Sequence, residues 1–191
     1  MEVKNPVRES IISITIDLIN EYEGELEKIN SRLIAQRAGV SLGLINYHFG
    51  SKKKLINLSV ERIINNIVLH FKPRKNKKPT LSEVAIEVFE FLFSNKAIAR
   101  ISILSDMENY QENSNSVFSQ KGFSLFMPKN LNKKEKALLS FILCSAMQVA
   151  FLGEKTISAV LGYDLSQKKE RKIFICDLIM QLTKKPESRQ F

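Results

Sequence analysis

The 191-residue chain has no tryptophan, two cysteines and two histidines, and each scarcity excludes something. Cys144 and Cys176 each sit inside an apolar run, the behaviour of small buried hydrophobes in a reducing compartment, so no disulfide is expected. His48 and His70 are the whole histidine supply. Since C-x-x-C pairs, a glycine-rich phosphate loop and a paired histidine–carboxylate motif are also missing, no metal centre, no cofactor and no enzymatic activity are expected. The opening MEVKNPVRES carries no apolar stretch of signal-peptide length, and a cytoplasmic protein is expected. Seven glycines and five prolines punctuate the chain without producing the evenly spaced turns of a sheet.

What is present is helical period and positive charge. Hydrophobic residues make up 44% of the chain, enough for a substantial core, and the formal net charge of +9 favours an anionic partner, nucleic acid or an anionic membrane surface. Val7, Ile11, Ile14, Leu18 and Tyr22 recur at spacings of four and three, and so do Ile56, Val60, Ile63, Ile67 and Phe71. An all-α fold follows. Lys72 to Thr80 holds five basic residues, two prolines and no other apolar residue, so we divide the chain into 1–50, a connecting helix at 51–71, a basic linker at 72–80, and a domain at 81–191. The linker is either a solvated loop or an approach to phosphate. A second polar break lies at Asn109 to Ser116.

Two C-terminal segments are too apolar for helices with one solvent face. Ala137 to Gly153 has no charge, and its length approaches the ~17–25 residues of a bilayer span, but Ser140, Ser145 and Gln148 favour a helix buried on two sides over a membrane segment. Asn132 with Glu135 reads as its capping pair. The segment at about 166–184 contains IFICDLIMQL. Helices at about 132–153 and 166–184 meeting their symmetry copies would form the four-helix interface of a homodimer.

The stretch Asn30 to Phe49 reads as two short helices around a glycine turn. Asn30 caps the first, Gly39 supplies the turn, and Ser41 caps the second by accepting backbone N–H bonds. Val40 and Ile45 return the chain to the core, leaving Leu42, Gly43, Asn46, Tyr47 and His48 outward, a set suited to a DNA groove. A carboxamide at Asn46 can pair with adenine, and Leu42 can touch a thymine methyl. From Lys28 to Lys54 there are six bases and no acid, whereas Asp17 to Glu27 has five acids and no base. This segregation would orient the molecule on a duplex.

The run IAQRAGVSLGLINYHFGSKKKLI resembles the DNA-binding signature of the TetR family of bacterial transcriptional regulators, through Ile34, Ala35, Ala38 to Ser41, Tyr47, Phe49, Lys52 and Leu55. It departs from the usual pattern at Asn46, where an aromatic residue is frequent, and at Asn30, where threonine is. The resemblance implies an N-terminal three-helix helix-turn-helix domain and a larger C-terminal helical domain for ligand binding and dimerisation. It implies a homodimer on a near-palindromic double-stranded operator, typically a repressor released by a small molecule. DNA contacts then fall on Ser31, Arg32, Leu42, Gly43, Asn46, Tyr47, His48 and Lys52, with Tyr47 and Lys52 on phosphate.

For the unknown ligand, apolar or aromatic, the candidate lining is Phe89, Phe93, Met107, Phe123, Phe126 and Met147. The 52–71 helix would couple ligand to DNA. An activator, a regulator answering a protein, and a membrane-associated helical interaction module are the alternatives.

Overall fold

The computed structural model describes residues 5–70 and 79–184, and within them it is all-helical. In chain order the helices are α1 (Pro6–Glu21), α2 (Ser31–Ala38), α3 (Leu42–Phe49), α4 (Lys52–His70), α5 (Leu81–Ser94), α6 (Lys96–Glu108), α7 (Asn115–Ser124), α8 (Lys133–Leu152), α9 (Glu154–Leu161) and α10 (Lys168–Thr183). They form two compact units: α1–α4 with α6, and α5 with α7–α10.

The first unit begins at Asn5, whose carboxamide oxygen accepts from the backbone N–H of Val7 (3.0 Å) and Arg8 (3.3 Å), with Pro6 preset for the first turn. Its core holds Ile11, Leu18, Ile29, Ile34, Ile45 and Leu55, all fully buried. The expected stripe of α1 holds at Ile11 and Leu18, with Ile14 and Tyr22 packed against the core, but the buried face is wider, taking in Ile12, Thr15 and Ile19, and Val7 is exposed. The Thr15 hydroxyl meets the cost of burial by donating to the Ile11 carbonyl at 2.7 Å. Glu9 on α1 is ion-paired with Arg62 on α4, and that hydrogen-bonded carboxylate raises the guanidinium pKa above its ordinary value.

The expected 81–191 domain requires correction, because α6 packs with α1 and α4. Ile98 and Ile101, three residues apart on one face of α6, belong to the first unit's core. Most of the basic linker, 72–78, lies outside the described residues, as does the side chain of Ile67. Thr80, at its end, caps α5: its hydroxyl accepts from the Glu83 N–H (3.2 Å) and Glu83 accepts from the Thr80 N–H (2.8 Å).

In the second unit, Phe89 meets Phe93 (centroids 5.1 Å apart) and Phe174 (5.6 Å), and Phe93 meets Phe151 (5.4 Å). Arg171 of α10 lies over the Phe93 ring at 4.5 Å. Its Nε and Nη2 donate to the two oxygens of Glu90 (2.9 and 2.8 Å), and Nη1 donates to the carbonyls of Leu165 and Ser166 (3.0 and 2.8 Å). A buried charge is tolerable only with partners of this kind.

The expected capping box of α8 is present, Asn132 and Glu135 each accepting from the other's backbone N–H at 2.9 and 2.7 Å. Among the described residues α8 is the one helix long and apolar enough to cross a membrane. It buries Ser140, Leu143, Cys144, Met147, Ala150 and Phe151 within its unit. Leu138, Phe141 and Val149 remain exposed on it, as do Ile173 and Met180 on α10. Cys144 is buried as expected, but Cys176 is exposed, and neither is in a disulfide.

Arg171→Met strands the Glu90 carboxylate in a largely buried position and should cost about 3–5 kcal/mol. The double variant Arg171→Met/Glu90→Leu should recover most of that loss. Urea unfolding of both checks the pair.

Candidate nucleic-acid interface

The site starts from two short helices and the turn between them. Asn30 starts α2, its carboxamide oxygen accepting the Leu33 N–H at 2.9 Å. Gly39 ends it with φ at 64°, a left-handed conformation, and two bonds close the end: Gly39 N–H to the Gln36 carbonyl (3.2 Å) and Val40 N–H to the Ala35 carbonyl (3.0 Å). This is the Schellman arrangement, for which glycine carries no side-chain penalty. Ser41 occupies the N-cap of α3 in extended geometry, but its side chain makes no capping bond. That correction leaves the turn and the burial of Ile45 and Phe49 to hold α3.

Ile34 and Ala35 of α2, with Ile45 and Phe49 of α3, form the inward side. Arg8 covers Phe49 from outside, its guanidinium carbon 5.5 Å from the ring centroid. On the outward side Leu42, Gly43, Leu44 and Asn46 are exposed, and Tyr47 is 82% exposed. A Cβ built on Gly43 would meet nothing closer than the Ser41 hydroxyl at 3.8 Å, so the backbone there faces open space. His48 is half-buried and edge-on to Tyr47 at 5.0 Å. Ser31 is half-buried and Arg32 exposed at the start of α2.

Lys52 is not placed as expected. Its ammonium donates to the backbone carbonyls of Leu26 (3.0 Å) and Ile29 (2.8 Å), so it binds the α1–α2 loop to the start of α4 rather than projecting towards a phosphate. Both carbonyls lie in the irregular backbone between α1 and α2, where the ammonium supplies a donor to Ile29 and a second donor to Leu26, which also accepts the Ile29 N–H at 3.3 Å.

The segregated charges also partly close on one another. Arg37 pairs with Glu21 at 2.9 Å, Lys28 with Glu25 at 2.8 Å, and Lys53 with Glu108. Hydrogen bonding to Glu21 and Glu25 raises the pKa values of Arg37 and Lys28 above their ordinary ranges. Among the described residues, Arg32 and Lys54 form no ion pair. Sequence reading missed Ser51, which caps α4 by accepting the Lys54 N–H at 3.2 Å; a serine directly before a lysine run was the available signal.

The six candidate ligand residues do not converge. Phe89, Phe123 and Met147 are buried core of the second unit, with Phe93 and Phe126 half-buried there, whereas Met107 is 49% exposed on α6 of the first unit. A cavity of about 620 Å³ lies in the first unit, between the α1–α2 loop, α4 and α6, and none of the six lines it.

Residues 23–58 match the family described as "Bacterial regulatory proteins, tetR family". The chain is 26% identical over 98 residues to nucleoid occlusion factor SlmA of Actinobacillus pleuropneumoniae, a match covering 49% of this chain and 48% of that one. It is 24% identical over 98 residues to nucleoid occlusion factor SlmA of Haemophilus ducreyi, with the same coverage. The chain thus spans about half the length of the curated relatives it matches. A TetR transcriptional regulator from Rhodococcus sp. RHA1 shares the fold, with a TM-score of 0.54 at 16% identity over 92% of this chain and 94% of that one.

Lys52→Met removes donors from two carbonyls and should cost about 1–3 kcal/mol of stability, while leaving the salt dependence of DNA affinity unchanged. Arg32→Ala should do the reverse, reducing the log–log salt slope by about 0.9, the increment that one neutralised phosphate contributes. Thermal melts and anisotropy titrations across salt separate the two.

Proposed function

We propose, for a chain that belongs to the TetR family through its N-terminal domain, that it represses transcription as a cytoplasmic homodimer on a near-palindromic operator and is released by a small apolar or aromatic ligand. The observation carrying this reading is the sidedness of α3. Ile45 and Phe49 are locked in the core while Leu42, Asn46 and Tyr47 face outward from a turn fixed by Gly39. A helix held so firmly on one side presents the other at fixed depth and angle, which groove reading requires.

In this reading Asn46 pairs with adenine, Leu42 packs on a thymine methyl, and Tyr47 holds phosphate, with Ser31 and Arg32 on the neighbouring backbone. Gly43 admits close approach, and His48 positions Tyr47. The partner copy joins through the exposed apolar residues of α8 and α10, where Leu138, Phe141, Val149, Ile173 and Met180 need cover. The inducer enters the second unit.

The likeness to proteins named nucleoid occlusion factors favours a second reading, binding at many chromosomal sites in place of control at one promoter. Mapping bound sites across the genome separates them: a few sites beside genes support repression, and many dispersed sites support the second reading.

Selection from a random DNA pool should return a palindrome. Asn46→Ala should cost about 1–3 kcal/mol and relax preference at one position of each half-site. Tyr47→Ala should weaken binding to all sequences about equally. Unchanged affinity in both variants, with an unchanged melting temperature, would sink the assignment.

A further inference from the structure

The cavity in the first unit has walls of opposite charge. The α1–α2 loop contributes Glu23, Glu25 and Glu27, and α6 contributes Lys96 and Arg100. Glu25 is taken up by Lys28, and the Glu108 carboxylate at the far end of α6 by Lys53. Glu23, Glu27 and Arg100 form no ion pair among the described residues. Between the walls the surface is apolar, made by Leu26, Ile56, Ile101 and Leu104. At about 620 Å³ the space is within the usual range for a small-molecule site.

The loop wall is held in a conformation that few sequences adopt. Glu23 and Gly24 both have positive φ, 50° and 79°, and a Cβ added to Gly24 would come within 2.4 Å of the Ala97 Cβ. Loop backbone therefore rests directly on α6 at one edge of the cavity. On the side of α4, the Lys52 ammonium holds the Leu26 and Ile29 carbonyls. The loop ends at Asn30, the cap of α2, so a molecule bridging loop and α6 acts on the element that sets where α2 begins.

The geometry points to a binding site for a small zwitterion with an apolar body, its cationic group towards Glu23 and Glu27 and its anionic group towards Arg100, whose occupancy alters DNA affinity. The site itself stands on the cavity alone; its link to DNA rests on the function proposed above. It is distinct from the second-unit ligand expected there, since none of those candidate residues borders this space.

Three probes test the charge pattern: the dipeptide leucyl-phenylalanine, its N-acetyl derivative and its C-terminal amide, titrated calorimetrically into the full chain without DNA. The free dipeptide should bind, and removing either charge should weaken binding about tenfold or more, the loss expected of one charge-assisted hydrogen bond. Arg100→Glu should weaken it similarly, and Leu104→Trp, which fills the space, should abolish it. Both residues are exposed, so both variants should melt like the parent chain, while Phe118→Ser in the second unit should leave dipeptide binding intact. No heat with any probe, or equal binding by Arg100→Glu and Leu104→Trp, would overturn the site.

Saturating dipeptide should then shift the Kd for selected DNA at least threefold. Calorimetric binding with an unmoved Kd overturns the link. A chain that binds dipeptide but no DNA contradicts the DNA reading and leaves the site standing.

Discussion

An eight-residue helix is not stable alone in water, because nucleating it fixes several residues for few hydrogen bonds. α3 persists because Ile45 and Phe49 are withdrawn into the core between α1, α2 and α4. That burial comes before any recognition chemistry on the outward face. With no capping bond from Ser41, the helix has few local supports, and its direction is set by what lies beneath it and by the left-handed turn at Gly39. The groups facing solvent, Leu42, Asn46 and Tyr47, inherit their positions from two residues that never touch a partner.

The two units solve burial differently. The first is sealed mostly by aliphatic side chains, isoleucine above all, with the buried Thr15 and Ser59 hydroxyls returned to backbone carbonyls. The second encloses a row of aromatic rings and places a charge beside them, with Arg171 stacked on Phe93 and forked onto Glu90. An aliphatic core tolerates small repacking. A buried charge with four directed donors does not, and it fixes the register of α10 against α5 more tightly than apolar contact would.

Local chemistry was legible from sequence wherever the partners lie within a few residues. Asn30 with Leu33, Gly39 with Gln36, and Asn132 with Glu135 are all readable from spacing. The helical class was legible for the same reason, since a 3.6-residue period is a local property. What escaped was set at a distance. Lys52 reads as a phosphate contact until its ammonium is found on carbonyls of Leu26 and Ile29, more than twenty positions earlier. Ile98 and Ile101 look like any amphipathic pair, and nothing nearby says that they complete a core begun at Ile11. The cavity was hidden for the same reason, as its walls come from three separated stretches.

The place of α6 has a temporal consequence. Because Ile98 and Ile101 belong to the core of α1–α4, that core is incomplete when α4 leaves the ribosome, although every residue of α2 and α3 has already been made. A domain usually closes as its own stretch emerges. Here synthesis must run through the whole of α5, which belongs elsewhere, before the last wall of the first unit arrives. A newborn chain therefore carries a finished helix-turn-helix sequence on an unfinished foundation, and a pause in translation between α4 and α6 would hold it there with its isoleucines uncovered.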